Sequence, residues 1–181
     1  MTSSRYTSTA IALHWLAGLL IVGNLAFGLY MVDLPLSPAK LRYYSWHKWV
    51  GVTVFLLSAA RLLWRLRHPA PPLPAGTPPW QRRAAHASHA LLYVLFFAVP
   101  LSGWLFSSAA GFPTVYLGLI QLPDLVGKNR ELADTLKVLH RALTWSLGGL
   151  ALLHAAAALK HHLVDRDVVL ARMFPLIKPR T

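Results

Sequence analysis

Four runs of apolar residues, roughly 10–32, 46–64, 86–109 and 138–161, each approach the ~20 residues that a helix needs to cross a bilayer. None of them contains an Asp or a Glu. In hydrocarbon the backbone must satisfy its own hydrogen bonds, so a chain patterned this way has little choice but a bundle of spanning helices. Composition agrees, with 55% of the 181 residues apolar and 13% charged. The expected architecture is all-α: a single membrane domain over 1–181, folded as an integral membrane four-helix bundle. The first run begins beside Arg5 like an export signal. It lacks a small-residue cleavage site and carries His14, Trp15 and Asn24, so it is read as a span.

The links differ sharply from the spans. Residues 65–85 begin RLRHPAPPLPAGTPPWQRR, a proline-rich stretch with basic ends that cannot run on as a helix and belongs in water. The third link, about 111 to 137, mixes Pro, Gly and charges, and a short interfacial helix is expected there. Residues 162–181 form a basic tail.

The formal charge of +12 would suggest nucleic acid in a soluble protein, but its placement follows topology. Arg5, Arg61, Arg65, Arg67, Arg82, Arg83, Lys160, Arg166, Arg172, Lys178 and Arg180 fall on the side of the termini. Lys40, Arg42, Lys48, Lys128, Arg130, Lys137 and Arg141 fall on the other side, with Asp33, Asp124, Glu131 and Asp134. Eleven against seven, with acids favouring the smaller group, puts both termini in the cytoplasm. No nucleic-acid partner is expected.

Histidines stand in the spans where carboxylates do not, and an ionisable side chain at membrane depth is a functional candidate by default. His14 lies near the cytoplasmic end of the first span, and His47 near the outer end of the second. The fourth carries His140 and His154, 14 residues apart, which is about 21 Å along one helix face. With helices running alternately up and down, His154 falls at the depth of His14, and His140 at the depth of His47. The same step links His14 to Gly28, His47 to Arg61 and His89 to Gly103, and the glycines leave room for a flat, bulky group between helices.

With no cysteine and no intramembrane carboxylate, these imidazoles cannot complete a zinc or di-iron carboxylate site. A porphyrin brings four nitrogens and leaves two axial positions, which one pair of histidines fills. The expected cofactors are two non-covalent haem b groups: His14 and His154 ligate the inner iron, His47 and His140 the outer. The alternative for each histidine taken alone is an interfacial or hydrogen-bonded role, and His86 and His89 are rivals for the inner site. Arg61 is a candidate for a haem propionate or for snorkelling to the interface. Arg141 and Lys48 stand in the same relation to the outer haem. His161, seven residues beyond His154, is a candidate for hydrogen bonding a quinone and relaying a proton, with His162 beside it and His68 solvated.

These residues sit in motifs that resemble the bacterial cytochrome b561 family: LHWL at 13–16, HKWVG at 47–51, RLLWRL at 61–66, AHASH at 85–89, HRAL at 140–143, and LHAAAALKHH at 153–162 followed by DRDVVLARMFP. The resemblance covers essentially the whole chain and implies four helices around two b haems, with ligands at His14, His47, His140 and His154. The wider superfamily includes cytochrome subunits of hydrogenases and formate dehydrogenases, which are usually longer. The likeness is closest to the free-standing branch, which implies superoxide oxidation coupled to ubiquinone reduction. Haem with both axial positions taken favours outer-sphere electron transfer. Outside, Lys40, Arg42, Lys48, Lys137 and Arg141 would steer a small anion such as superoxide, or else contact lipid headgroups. The alternatives are an electron-transfer subunit serving a partner dehydrogenase or hydrogenase, and a transporter or channel without haem.

Overall fold

The computed structural model describes residues 5–74, 76–174 and 176–177. Lys178 and Arg180, which enter the charge count, lie outside the described residues. Four long helices run alternately up and down: α1 (Ser8–Val32), α2 (Pro38–Arg67), α3 (Pro79–Ala109) and α4 (Arg130–Leu163). A short α5 (Val169–Met173) follows. Each of the four is long and apolar enough to cross a membrane. Their outer faces expose large apolar side chains, among them Leu19 at 68%, Leu152 at 72% and Leu153 at 67%, as lipid-facing surfaces do. The chain is an integral membrane four-helix bundle.

Local chemistry starts and stops the helices. Thr7, Ser37 and Asn129 cap α1, α2 and α4, each side chain accepting from a backbone N–H three residues on. Pro38 and Pro79 occupy first turns, where the missing N–H costs nothing. Lys40 Nζ reaches back to the carbonyls of Val32 and Leu34 and closes the end of α1. The helices run past the apolar runs into their basic flanks, so that 65–67 and 79–85 of the proline-rich link are helical. Helical hydrogen bonding continues into the interfacial zone, where charged side chains are solvated.

In place of the short helix expected in the third link, the chain forms a two-stranded hairpin, β1 (Val115–Tyr116) with β2 (Ile120–Gln121). Gly111 (φ 75°) ends α3 in the left-handed region, and Leu117 and Gly118 (φ 54° and 73°) make the tight turn. The hairpin folds onto α2 through Trp49 Nε1, which donates to Val115 O at 2.6 Å, and through a 3.0 Å bond between Thr53 Oγ1 and Tyr116 OH.

The core is a band of Ile21, Val54, Leu92, Leu95, Phe96 and Leu147. Ile21 lies midway between His14 and Gly28, Val54 between His47 and Arg61, Phe96 between His89 and Gly103, and Leu147 between His140 and His154. A packed apolar layer therefore separates two polar levels, each about two turns away along its helix. One level lies toward the face that carries the N-terminus and the α2–α3 link, the terminal face. The other lies toward the α1–α2 and α3–α4 links, the hairpin face.

Candidate functional site

At the hairpin level α2 and α4 bring His47 and His140 together, with ring centroids 6.3 Å apart and planes at 87°. At the terminal level α1 and α4 do the same for His14 and His154, at 6.2 Å and 70°. Imidazole nitrogens bond first-row metals at about 2.0–2.1 Å, so two rings trans across one metal hold their centroids roughly 6.3–6.5 Å apart. The two pairs, at 6.3 and 6.2 Å, come within about 0.1 Å of that spacing. His89, also half-buried at the terminal level, lies 5.3 Å from His154, about an ångström too close for a shared axial metal. His86 is exposed, and His68 is exposed and stacked on Trp64 at 4.2 Å.

The surroundings of His140 orient it. Its Nδ1 lies 3.1 Å from Val99 O and 3.0 Å from Ser102 Oγ, while the Ser102 hydroxyl donates to Val99 O at 2.8 Å. The hydroxyl proton is thus used elsewhere, so Nδ1–H donates and Nε2 keeps its lone pair for a metal. Pro100, inside α3, withholds the N–H that Phe96 O would otherwise receive. At His47 the Asn24 amide donates to the backbone carbonyl at 3.3 Å. Nδ1 of His14 and of His47 are buried without a partner among the described residues, a cost of about 1–3 kcal/mol each that a bound group would explain.

Gly28 and Gly103 each adjoin an imidazole. A Cβ at Gly28 would meet His47 Cε1 at 3.0 Å, and one at Gly103 would meet His140 Cε1 at 3.0 Å, so they make room for the imidazoles themselves. The pattern repeats: a glycine on the first helix of each hairpin seats a histidine on the second.

The basic candidates fall into different settings. The guanidinium groups of Arg61 and Arg65 lie 5.5 and 5.9 Å from the Tyr93 ring centroid, and no carboxylate among the described residues is within ion-pair distance of Arg61. Tyr93 OH beneath them is buried and unpartnered among the described residues. Lys48 is already occupied: its Nζ donates to Ser107 Oγ at 3.2 Å, Phe112 O at 3.3 Å and Pro113 O at 2.9 Å. It fastens the α3–α4 link to α2. Lys137 and Arg141 are exposed, and Lys137 lines a cleft of about 330 Å³ with Lys128, Arg130 and Asp134.

His161, one level beyond His154, is held by a cluster that sequence spacing does not announce. Its Nδ1 lies 2.6 Å from Asp167 Oδ2 and 3.2 Å from Asp165 Oδ2. The two aspartates stand four and six residues on, beyond the end of α4, where helical periodicity gives no warning of the contact. Nδ1 of His162 is buried without a partner among the described residues. Asn24, Val99 and Ser102 are equally silent in the sequence, because contacts between helices leave no local signal; the Pro100–Ser102–Gly103 run is the available hint.

Taken together, fold and site define a class: a four-helix membrane protein with paired imidazoles at two depths, a third imidazole, His89, beside the terminal pair, and no carboxylate in the four apolar runs. Residues 5–176 match the family model of prokaryotic cytochrome b561. The chain belongs to that family, whose members are b-type haem proteins of electron transport. It is 37% identical over 180 residues to cytochrome b561 homolog 2 of Escherichia coli K12, covering 95% of this chain and 92% of that one. It is 33% identical over 181 residues to the probable superoxide oxidase CybB of Yersinia pestis (94% and 96%). Over 175 residues it is 33% identical to cytochrome b561 homolog 1 of E. coli K12 (95% and 98%).

Proposed function

We propose that this chain carries electrons from superoxide at the outer face of a bacterial inner membrane to ubiquinone. In this reading it uses two haem b groups. His14 and His154 hold one near the cytoplasmic face, and His47 and His140 hold the other near the outer face. The observation that carries the reading is the pair of imidazole contacts, 6.2 and 6.3 Å between centroids, at two depths on either side of an apolar layer.

Haem held by these histidines would supply a one-electron carrier suited to outer-sphere electron transfer. The protein's residues do the rest. Val99 and Ser102 hold His140 in the tautomer that offers Nε2. Arg61, with Arg65, supplies a guanidinium suited to a propionate of the inner group. Lys137 and Arg141, exposed on the hairpin face, raise the local concentration of a small anion; Lys48 adds charge there while its ammonium stays bonded to the link. His161 delivers a proton to quinone on the cytoplasmic side. The balance is two superoxide, one quinone and two protons giving two dioxygen and one quinol. The excess of Lys and Arg on the terminal face sets the orientation, both termini cytoplasmic. A relative that bears the description probable superoxide oxidase supports the choice of electron donor.

Stopped-flow mixing of superoxide with the purified protein tests this. Superoxide loss above spontaneous dismutation, dependent on added ubiquinone, with two haems per chain, is the expected result. Two haems without quinone-dependent superoxide loss would shift the assignment to an electron-transfer subunit that needs a partner dehydrogenase or hydrogenase. Absence of a Soret band would leave a transporter or channel.

A further inference from the structure

The α4 helix ends at Leu163, and the next residues turn back sharply. Arg166 sits at φ 54°, a left-handed conformation that non-glycine residues seldom adopt. That turn brings both flanking carboxylates onto His161. Asp165 is shared, since Lys160 Nζ contacts its two oxygens at 2.7 and 2.8 Å. Asp167 is dedicated. Its Oδ2 takes the 2.6 Å bond from His161 Nδ1, its Oδ1 accepts from Val169 N at 2.9 Å, and its own N–H donates to His161 O at 3.0 Å. The carboxylate is thus held by α5, and α5 is held to the bundle: Trp15 Nε1 donates to Met173 O at 2.7 Å, and Phe174 packs edge-on against Trp15 at 5.3 Å. Trp15 adjoins His14, so this tail is anchored at the level of the inner imidazole pair.

We propose that Asp167 is a positioning residue for quinone reduction; the inference rests on the reading of His161 as the proton donor. A carboxylate only accepts, so it fixes the neutral imidazole as the Nδ1–H tautomer and turns Nε2 away from the cluster. Nε2 takes up a proton from the cytoplasmic side while Asp167 and Asp165 balance the ring's positive charge. It then gives that proton to a quinone oxygen: the Nε2–H bond breaks, an O–H bond forms, and the ring returns to the neutral Nδ1–H form. A haem held by His14 and His154 would supply the electrons. The arrangement repeats the logic by which a carboxylate orients a catalytic histidine through its far nitrogen.

The test uses the full chain with haem bound, 15N-labelled at histidine, with the His161 ring assigned by its loss in His161→Gln. In wild type the ring is expected as Nδ1–H. Asp167→Asn, whose amide can donate to Nδ1, is expected to convert it to Nε2–H. It should also lower kcat for quinone reduction by about tenfold or more, a part of the ~10²–10⁴ that proton transfer by a side chain contributes, with KM for quinone little changed. Asp167→Glu should restore the wild-type tautomer, and Asp165→Asn should leave it in place. The haem spectrum checks that each variant is folded. If Asp167→Asn proves unfolded, Asp167→Gln, whose amide can likewise donate to Nδ1, is the second variant and should change both readouts in the same direction. An unchanged tautomer or unchanged kcat in the folded variant, with His161→Gln impaired, overturns the role of Asp167. A fully active His161→Gln overturns the quinone reading beneath it.

Discussion

Alanine at position 103 puts a methyl group where the His140 ring already lies. The new Cβ would stand 3.0 Å from Cε1, 3.3 Å from Nδ1 and 3.7 Å from Nε2, whereas carbon atoms in contact prefer about 3.5–4.0 Å. The ring has little freedom to retreat, because Nδ1 is held by Val99 O and Ser102 Oγ. Replacing glycine by alanine within a helix ordinarily gains about 0.8–1.0 kcal/mol, while overpacking of this kind costs about 1–3 kcal/mol. The steric term wins, and its effect falls on one imidazole. Gly149→Ala is the control, since a methyl group there would meet nothing within 4 Å, and it should be neutral or stabilising. Haem-to-protein ratio and a redox titration with optical detection would read the outcome. Gly103→Ala should lose or perturb the haem assigned to His47 and His140 and leave the other unchanged. A Gly103→Ala protein with both haems at wild-type occupancy and potential would show that this glycine does not seat a ligand.

His14→Ala should remove one haem, and His89→Ala should retain both despite the nearer approach of His89 to His154, which haem stoichiometry of the two purified variants decides. The basic residues of the hairpin face should separate into two kinds. Lys48→Met removes the donor to Ser107 Oγ and Pro113 O, while Phe112 O keeps the Ser107 hydroxyl; it should cost about 1–3 kcal/mol and appear as a lower melting temperature and faster proteolysis of the α3–α4 link. Lys137→Gln with Arg141→Gln should leave melting unchanged while lowering the second-order rate with superoxide and flattening its dependence on ionic strength. Equal rates and equal salt slopes in the double variant would exclude steering by these two side chains.

Much of this protein is legible in one dimension because the bilayer and the helix are both periodic constraints. Apolar runs of spanning length dictate helices, since nothing else satisfies a backbone in hydrocarbon, and a fixed rise per residue turns sequence spacing into depth. The levels of His14, His47, His140 and His154 follow from those two facts together with alternating direction. Spacing tells which residues share a face of one helix but not which neighbour that face meets, so it ranks His89 against His14 only by pairing logic, whereas the folded bundle separates them by 5.3 against 6.2 Å. Tertiary packing alone turns Gly28 and Gly103 toward imidazoles, ties Lys48 to the link whose hairpin replaces the expected helix, and folds Asp165 and Asp167 back onto His161. Each of these depends on where chain segments without regular period come to rest, and that is settled by side chains meeting across helices and turns, not by the order in which they occur.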